Sequence, residues 1–184
     1  LHAPTLGSTA TRERHEDSSP ADVTARQVRE PDFADEVLGM LRTAGVPPNL
    51  LIIELTEDAL IDLRVAYPSL ARLREAGVCV SLDDFGTGYS SLAYLRELPI
   101  DELKIDQAFI RELGTTETNA RAPKLVQSMV ALGHSLGLVV VAEGVETTGQ
   151  LEFLKRVGCD RVQGYAIGRP MSGEALTLLL AISG

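Results

Sequence analysis

The sequence predicts an α/β fold: a parallel sheet wound as most of a (β/α) TIM-like barrel. Short, β-branched-rich runs alternate with helical stretches from residue 21 onward. The runs carry apolar residues on both faces, as strands covered on both sides do. The spacing from run to run leaves room for a helix each time, and crossovers of that kind are right-handed.

Residues 1–20 are a different material: only Leu1, Ala3, Leu6 and Ala10 are apolar, with Thr, Ser, Arg, Glu and Pro making up most of the rest. Such a segment buries too little surface to offset its ordering entropy, and we expect it to be disordered. A weak strand candidate lies at 21–25. Phe33, Val37, Leu38 and Leu41 then form a stripe at helical spacing, ended by Gly45 and Pro47-Pro48. Residues 50–55 and 78–82 read as strands; the helix between them carries Leu70 and Leu73 and closes at Gly77. Residues 102–105 form the next strand. Leu125, Val126, Met129, Val130 and Leu136 line a helix closed by Gly137, and 138–142 form another strand. Thr147-Thr-Gly-Gln150 is a capping box ahead of Leu151, Leu154 and Val157, before a last strand at 161–163. A βαβ step takes roughly 30 residues and a complete barrel about 250. Residues 21–184 therefore hold five or six units, and the barrel is expected to lack about its first one or two.

Composition narrows the partners. The 184 residues carry 17 Lys+Arg against 26 Asp+Glu, a net charge of −9. That balance argues against DNA, RNA or an anionic membrane as the main partner. The longest apolar runs are five residues (138–142 and 178–182), far short of the ~20 a membrane helix needs. Cys79 and Cys159 are no disulfide framework, which fits two reduced thiols in the cytoplasm. Three scattered histidines and two distant cysteines argue against a zinc site; His134, four residues beyond Val130, reads as a packing residue or one that supports other side chains.

The strand ends are where chemistry collects in parallel α/β architectures. Here they are repeatedly polar: Glu54, Asp83-Asp84, Lys104, Glu143 and Gln163, at intervals of 29, 21, 39 and 20 residues. One acid at a strand end means little, but five such ends together describe an oxygen-rich, negatively charged rim. Crowded carboxylates are tolerated when hard cations such as Mg²⁺ or Mn²⁺ sit between them. Two adjacent aspartates suit a bridged two-metal site.

The block Asp83-Asp-Phe-Gly-Thr-Gly-Tyr-Ser-Ser-Leu92 resembles the signature loop of the EAL family, bacterial phosphodiesterases and receptors for cyclic di-GMP. The resemblance extends through Glu54-Leu-Thr-Glu57, Leu103-Lys-Ile-Asp106, Ala142-Glu-Gly-Val-Glu146, Gln163-Gly-Tyr165 and Arg169-Pro-Met171, so a partial EAL domain spans 21–184. It implies that Glu54 and Asp83 are ligands of a shared metal, with Asp84 serving a second ion. Lys104 would orient or activate the attacking water, and Glu143 would be a further metal ligand or a general base. Gln163 would support ligand and water from the last strand. Glu57 resembles the glutamate that anchors the Asp-Asp-Phe-Gly loop. Gly86 and Gly88 permit that loop's tight backbone, and Ser90 or Ser91 can cap the short helix after it.

Two departures matter. The family's Glu-Ala-Leu, whose glutamate binds metal, belongs on its first strand, yet Glu13 and Glu16 precede no Ala-Leu, and Glu174-Ala-Leu176 reads as an ordinary amphipathic helix near the C terminus. Where the family usually shows asparagine, this sequence has Asp22, which still offers an oxygen ligand. The resemblance thus implies a metal-dependent phosphodiesterase that opens cyclic di-GMP to the linear dinucleotide, its site one ligand short unless a partner chain supplies that ligand and its turnover slow or undetectable in the isolated chain. The alternative is an inactive relative that binds cyclic di-GMP or a protein partner. It also implies a homodimer, since the family's barrels pair through helices near the Asp-Asp-Phe-Gly loop.

Overall fold

The computed structural model describes residues 19–22, 24–56, 63–87, 95–113 and 121–168. Six parallel strands run side by side in chain order: β1 (Ser19–Asp22), β2 (Leu51–Thr56), β3 (Cys79–Phe85), β4 (Glu102–Ile105), β5 (Val139–Ala142) and β6 (Arg161–Val162). Helices α1 (Ala25–Val28), α2 (Phe33–Ala44), α3 (Leu63–Glu75), α4 (Gln107–Arg111), α5 (Arg121–Ser135) and α6 (Thr148–Val157) lie between them in sequence. A complete barrel has eight strands; among the described residues there are six, and no ladder joins β6 back to β1.

The first strand differs from expectation. It takes in Ser19 and Pro20 and stops at Asp22 instead of running to residue 25. The reason is local. The Thr24 hydroxyl accepts from the Gln27 N–H, and Gln27 Oε1 accepts in turn from the Thr24 N–H, so a capping box turns the chain into α1 at Ala25. Residues 1–18 lie outside the described residues.

Helix ends obey the punctuation. Gly45 at φ 67° and Gly158 at φ 78° close α2 and α6 in the left-handed region. The capping box at α6 is present, and Gln150 goes further: its Oε1 accepts from the Glu146 and Thr147 N–H groups, while its Nε2 donates to Ile110 O at 2.9 Å. This buried amide ties the start of α6 to the end of α4.

The core lies between sheet and helices. Ile53, Leu55, Val80, Leu82, Leu103, Ile105, Val140 and Val162 are buried against Phe33, Leu70, Leu73, Val126 and Val130. On α5 the buried positions are Ala122, Val126, Met129, Val130 and Gly133; Leu125, expected among them, is 44% exposed. Gly133 is required there, because a Cβ would collide with Val140 Cγ2. His134 is therefore not a packing residue. It is exposed, and its Nε2 lies 2.8 Å from Asp160 Oδ2.

That contact belongs to a repeated brace at the lower end of the sheet. Asp160, just before β6, accepts from the Val140 N–H at 2.8 Å and meets His134 from the preceding helix. Asp101, just before β4, accepts from the Val80 N–H at 3.2 Å and from Arg74 of α3 at 2.9 Å. Each aspartate satisfies an amide near the start of a neighbouring strand, which would otherwise be an orphan donor. Arg72 makes a bidentate pair with Asp35, joining α3 to α2 across an exposed surface.

Candidate active site

Strand periodicity sorts the residues before any contact is measured. Side chains two apart share a face of a sheet, and parallel partners in register share it too. The ladders pair Glu54 with Ser81, Ser81 with Glu102, Lys104 with Val141, and Val141 with Arg161. The face set up this way carries Glu54, Ser81, Asp83, Glu102, Lys104, Glu143, Arg161 and Gln163. The opposite face carries the apolar residues of the core. Asp22 is in register with Glu54.

Lys104 is the centre. Its Nζ is 2.8 Å from Glu54 Oε1, 3.0 Å from Asp83 Oδ2 and 2.7 Å from Glu143 Oε1. The lysine side chain is 6% exposed, and the three carboxylates are 14%, 19% and 20% exposed. Burial works against the ammonium, but hydrogen bonds to Glu143, Glu54 and Asp83 outweigh it and hold Lys104 well above the usual lysine range. Burial pushes the Glu143 carboxyl up, Lys104 opposes that, and the charges of Asp83 and Glu54 push in the same direction as burial. Four groups from β2, β3, β4 and the end of β5 thus meet at one point, as the strand-end pattern predicted.

The Asp83-Asp84 pair divides its work. Asp83 Oδ1 accepts from the Asp84 N–H at 2.9 Å while Oδ2 faces Lys104. Asp84 adopts φ 55°, rare for a residue with a side chain, at an irregularity in the β3–β4 ladder. Burial raises its carboxyl, and Asp83 and Asp106 add to the effect. Gly86 has φ 99°; a Cβ there would fall 2.5 Å from Met129 Cε and 2.8 Å from Phe109 Cε2. Glu57, Gly88, Ser90 and Ser91 lie outside the described residues, as does everything from Arg169 onward.

Gln163 stands one residue past β6, its N–H bonded to Ala142 O at 2.8 Å and its carbonyl accepting from the Val145 N–H at 3.0 Å. It lines a cavity of about 250 Å³ together with Glu143, Gly144, Glu146, Gly164, Gln107, Arg111 and Tyr165. Arg111 Nη2 donates to Gln107 Oε1 at 2.7 Å. Sequence reasoning gave Gln107, Arg111 and Tyr165 no role; the available signal was their position just after the strand-end motifs that hold Lys104 and Gln163.

The donor set suits a hard divalent cation, because Glu54, Asp83 and Glu143 are all carboxylates on separate strands within reach of one positive charge. Among the described residues no three His, Cys, Asp or Glu side chains stand arranged to hold an ion by themselves. In this arrangement the Lys104 ammonium meets the three carboxylates.

The family model of the EAL domain matches residues 8–170. The chain belongs to the EAL domain family. It is 48% identical over 145 residues to the cyclic di-GMP phosphodiesterase NbdA of Pseudomonas aeruginosa, covering 78% of this chain and 18% of that protein. Among solved structures, the PaMucR phosphodiesterase in complex with c-di-GMP matches with TM-score 0.79 and 43% identity, over 86% of this chain and 64% of that one. The manganese/cyclic di-GMP complex of Klebsiella pneumoniae BlrP1 matches with TM-score 0.72 and 32% identity, over 83% and 39%. The chain spans about a fifth of the length of the curated relatives it matches. EAL-domain membership fixes the sheet as part of a TIM-type barrel.

Proposed function

We propose that this EAL domain is a metal-dependent phosphodiesterase that opens cyclic di-GMP to the linear dinucleotide. The observation that carries this is the meeting of Glu54, Asp83 and Glu143 around Lys104, at the rim of a cavity that Glu143 and Gln163 share. Glu54, Asp83 and Glu143, together with Asp84 and Asp22, would hold Mg²⁺ or Mn²⁺. Bound there, such an ion supplies a water of lowered pKa and positive charge for the departing oxygen.

The protein's own groups divide the remaining tasks. Lys104 keeps its proton at neutral pH, so it is an orienting and charge-stabilising cation and not a proton acceptor. Glu143, pushed up by burial, is the carboxylate suited to take a proton from the attacking water. One P–O bond forms to the water oxygen, and one P–O bond of the cyclic dinucleotide breaks. Gln163, Arg111 and Tyr165 line the cavity beside Glu143 and would hold the ligand; Arg111 offers a cation to a phosphate, and Tyr165 an aromatic face to a base.

A second reading has one observation in its favour. Lys104 already gives all three carboxylates an ion-pair partner, so the site is compatible with a receptor that binds cyclic di-GMP or a protein partner without turnover. Product formation with Mn²⁺, set beside binding without metal, separates the two.

The setting we propose is cytoplasmic, supported by Cys79 and Cys159, two buried cysteines that form no disulfide. No helix among the described residues is long and apolar enough to cross a membrane. A homodimer is also proposed, on the resemblance to a family whose barrels pair through helices near the Asp83-Asp84 loop.

A further inference from the structure

Directly below the site, on the same face of the sheet, lies a second polar layer. Ser81 Oγ donates to Glu102 Oε1 at 3.1 Å, and Arg161 Nη1 donates to Glu102 Oε2 at 2.8 Å. Glu102 is 4% exposed and Ser81 is fully buried. A carboxylate so buried is costly unless paired and hydrogen-bonded, and here each oxygen has its own donor. The placement is systematic. Ser81 is two residues before Asp83 on β3, Glu102 two before Lys104 on β4, and Arg161 two before Gln163 at the end of β6. Each member therefore stands one same-face step beneath a residue of the site. Arg161 reaches past β5, which lies between β4 and β6, so the pair clamps strands that share no ladder.

We propose that Glu102 and Arg161 are positioning residues: their buried pair fixes β4 against β6, and so sets where Lys104 and Gln163 stand relative to Glu143. The pair does not serve to neutralise the site, since one glutamate and one arginine together add no net charge to it. Nor is it needed simply to fill space, because buried ion pairs replaced by apolar residues of similar volume commonly keep or gain stability. Its contribution is geometric, and displacement of a reacting group by about 1 Å can cost ~100-fold in rate.

The test compares the double variant E102M/R161L with R161A, R161K and the unsubstituted chain. The kinetic arm rests on the phosphodiesterase reading; a second arm does not. In the kinetic arm, hydrolysis of cyclic di-GMP with Mn²⁺ is measured alongside thermal melting. E102M/R161L and R161A should lose at least ~10-fold in kcat with KM changed less than about threefold. R161K, which keeps a cation opposite Glu102, should stay within about threefold of the parent. In the second arm, the ammonium ¹⁵N–H signal of Lys104, one of three lysines in the sequence, is recorded in the same proteins. Held by three carboxylates, it should be visible in the parent and R161K, and weakened or lost in R161A. If the unsubstituted chain makes no product, the phosphodiesterase reading fails while the second arm still reports on positioning. Should the double variant fail to fold, R161A against R161K carries the comparison. A kcat in R161A within about twofold of R161K, or a Lys104 signal unaltered in R161A, would overturn the proposal.

Discussion

Lys104 Nζ lies 2.7 Å from Glu143 Oε1, joining a lysine on β4 to the glutamate just past β5. Both are largely withdrawn from water, and each shifts the other's proton affinity. The contact places an ammonium beside the carboxylate proposed to take a proton from the attacking water. Stability, pH response and turnover should all depend on it and on the layers around it.

Replacing Lys104 by alanine takes away the ammonium that Glu54, Asp83 and Glu143 share. Removing one partner of a buried ion pair costs about 3–5 kcal/mol, and we expect a loss of that order in urea unfolding at neutral pH. Millimolar Mn²⁺ should restore part of it, because the same oxygens then have a cation to hold. Equal stability of K104A and parent without metal would count against the geometry.

Glu102 gives the domain a pH signature. Burial raises its carboxyl above the ordinary 4.5, while Arg161, Ser81 and Lys104 work in the other direction. The folded chain then binds this proton more tightly than the unfolded one. Its contribution to stability is complete below about 4.5 and is lost as pH rises through the raised folded value. The stability of E102Q relative to the parent should therefore increase from pH 4.5 upward. A difference that stays flat or falls with pH in urea titrations would show the sign to be wrong.

Cys159 is fully buried, and burial pushes its thiol up to about 12. At pH 8 only ~1 in 10⁴ of such thiols is the reactive thiolate, and Cys79 is buried as well. A disulfide reagent at about pH 8 should label neither cysteine in the native chain and both in urea. Fast labelling of the native chain would contradict this packing.

Gly86 carries the turn that ends the Asp83-Asp84 segment. Its φ of 99° strains any side chain, and the space is already taken by Met129 and Phe109. G86A should cost about 1–3 kcal/mol and should also weaken Mn²⁺ binding, because Asp83 and Asp84 precede the bend. Calorimetric titration of the folded variant checks the second effect.

The homodimer is the most exposed expectation. Light scattering at micromolar concentration should give twice the 19.8 kDa of one chain. A well-folded species of single-chain mass would refute it.

The rim of the site was legible because it repeats. Apolar runs that end in Glu54, Asp83, Lys104, Glu143 and Gln163 put polar groups at one end of every central strand, and strand periodicity alone then gathers them. Strands β2 to β5 fell within a few residues of their predicted bounds for the same reason. The polar floor was not legible. Ser81, Glu102 and Arg161 each look ordinary in sequence, and only the parallel register shows that they share a level. His134 misled because a four-residue step from Val130 suggests the buried stripe, whereas Gly133 occupies the tight contact with β5 and turns the imidazole toward Asp160. The extent of β1 was missed because the Thr24–Gln27 capping box outweighed the weak strand propensity after Asp22.

Whether the carboxylates around Lys104 perform phosphodiester hydrolysis is tested most directly by chromatographic detection of linear dinucleotide. Cyclic di-GMP and Mn²⁺ are supplied to the parent, E143Q and K104A. Turnover by the parent is expected to be Mn²⁺-dependent and slower than ~1 s⁻¹, with each substitution reducing it at least ~100-fold. Product formed equally well by all three proteins, or no product from the parent, would contradict this assignment.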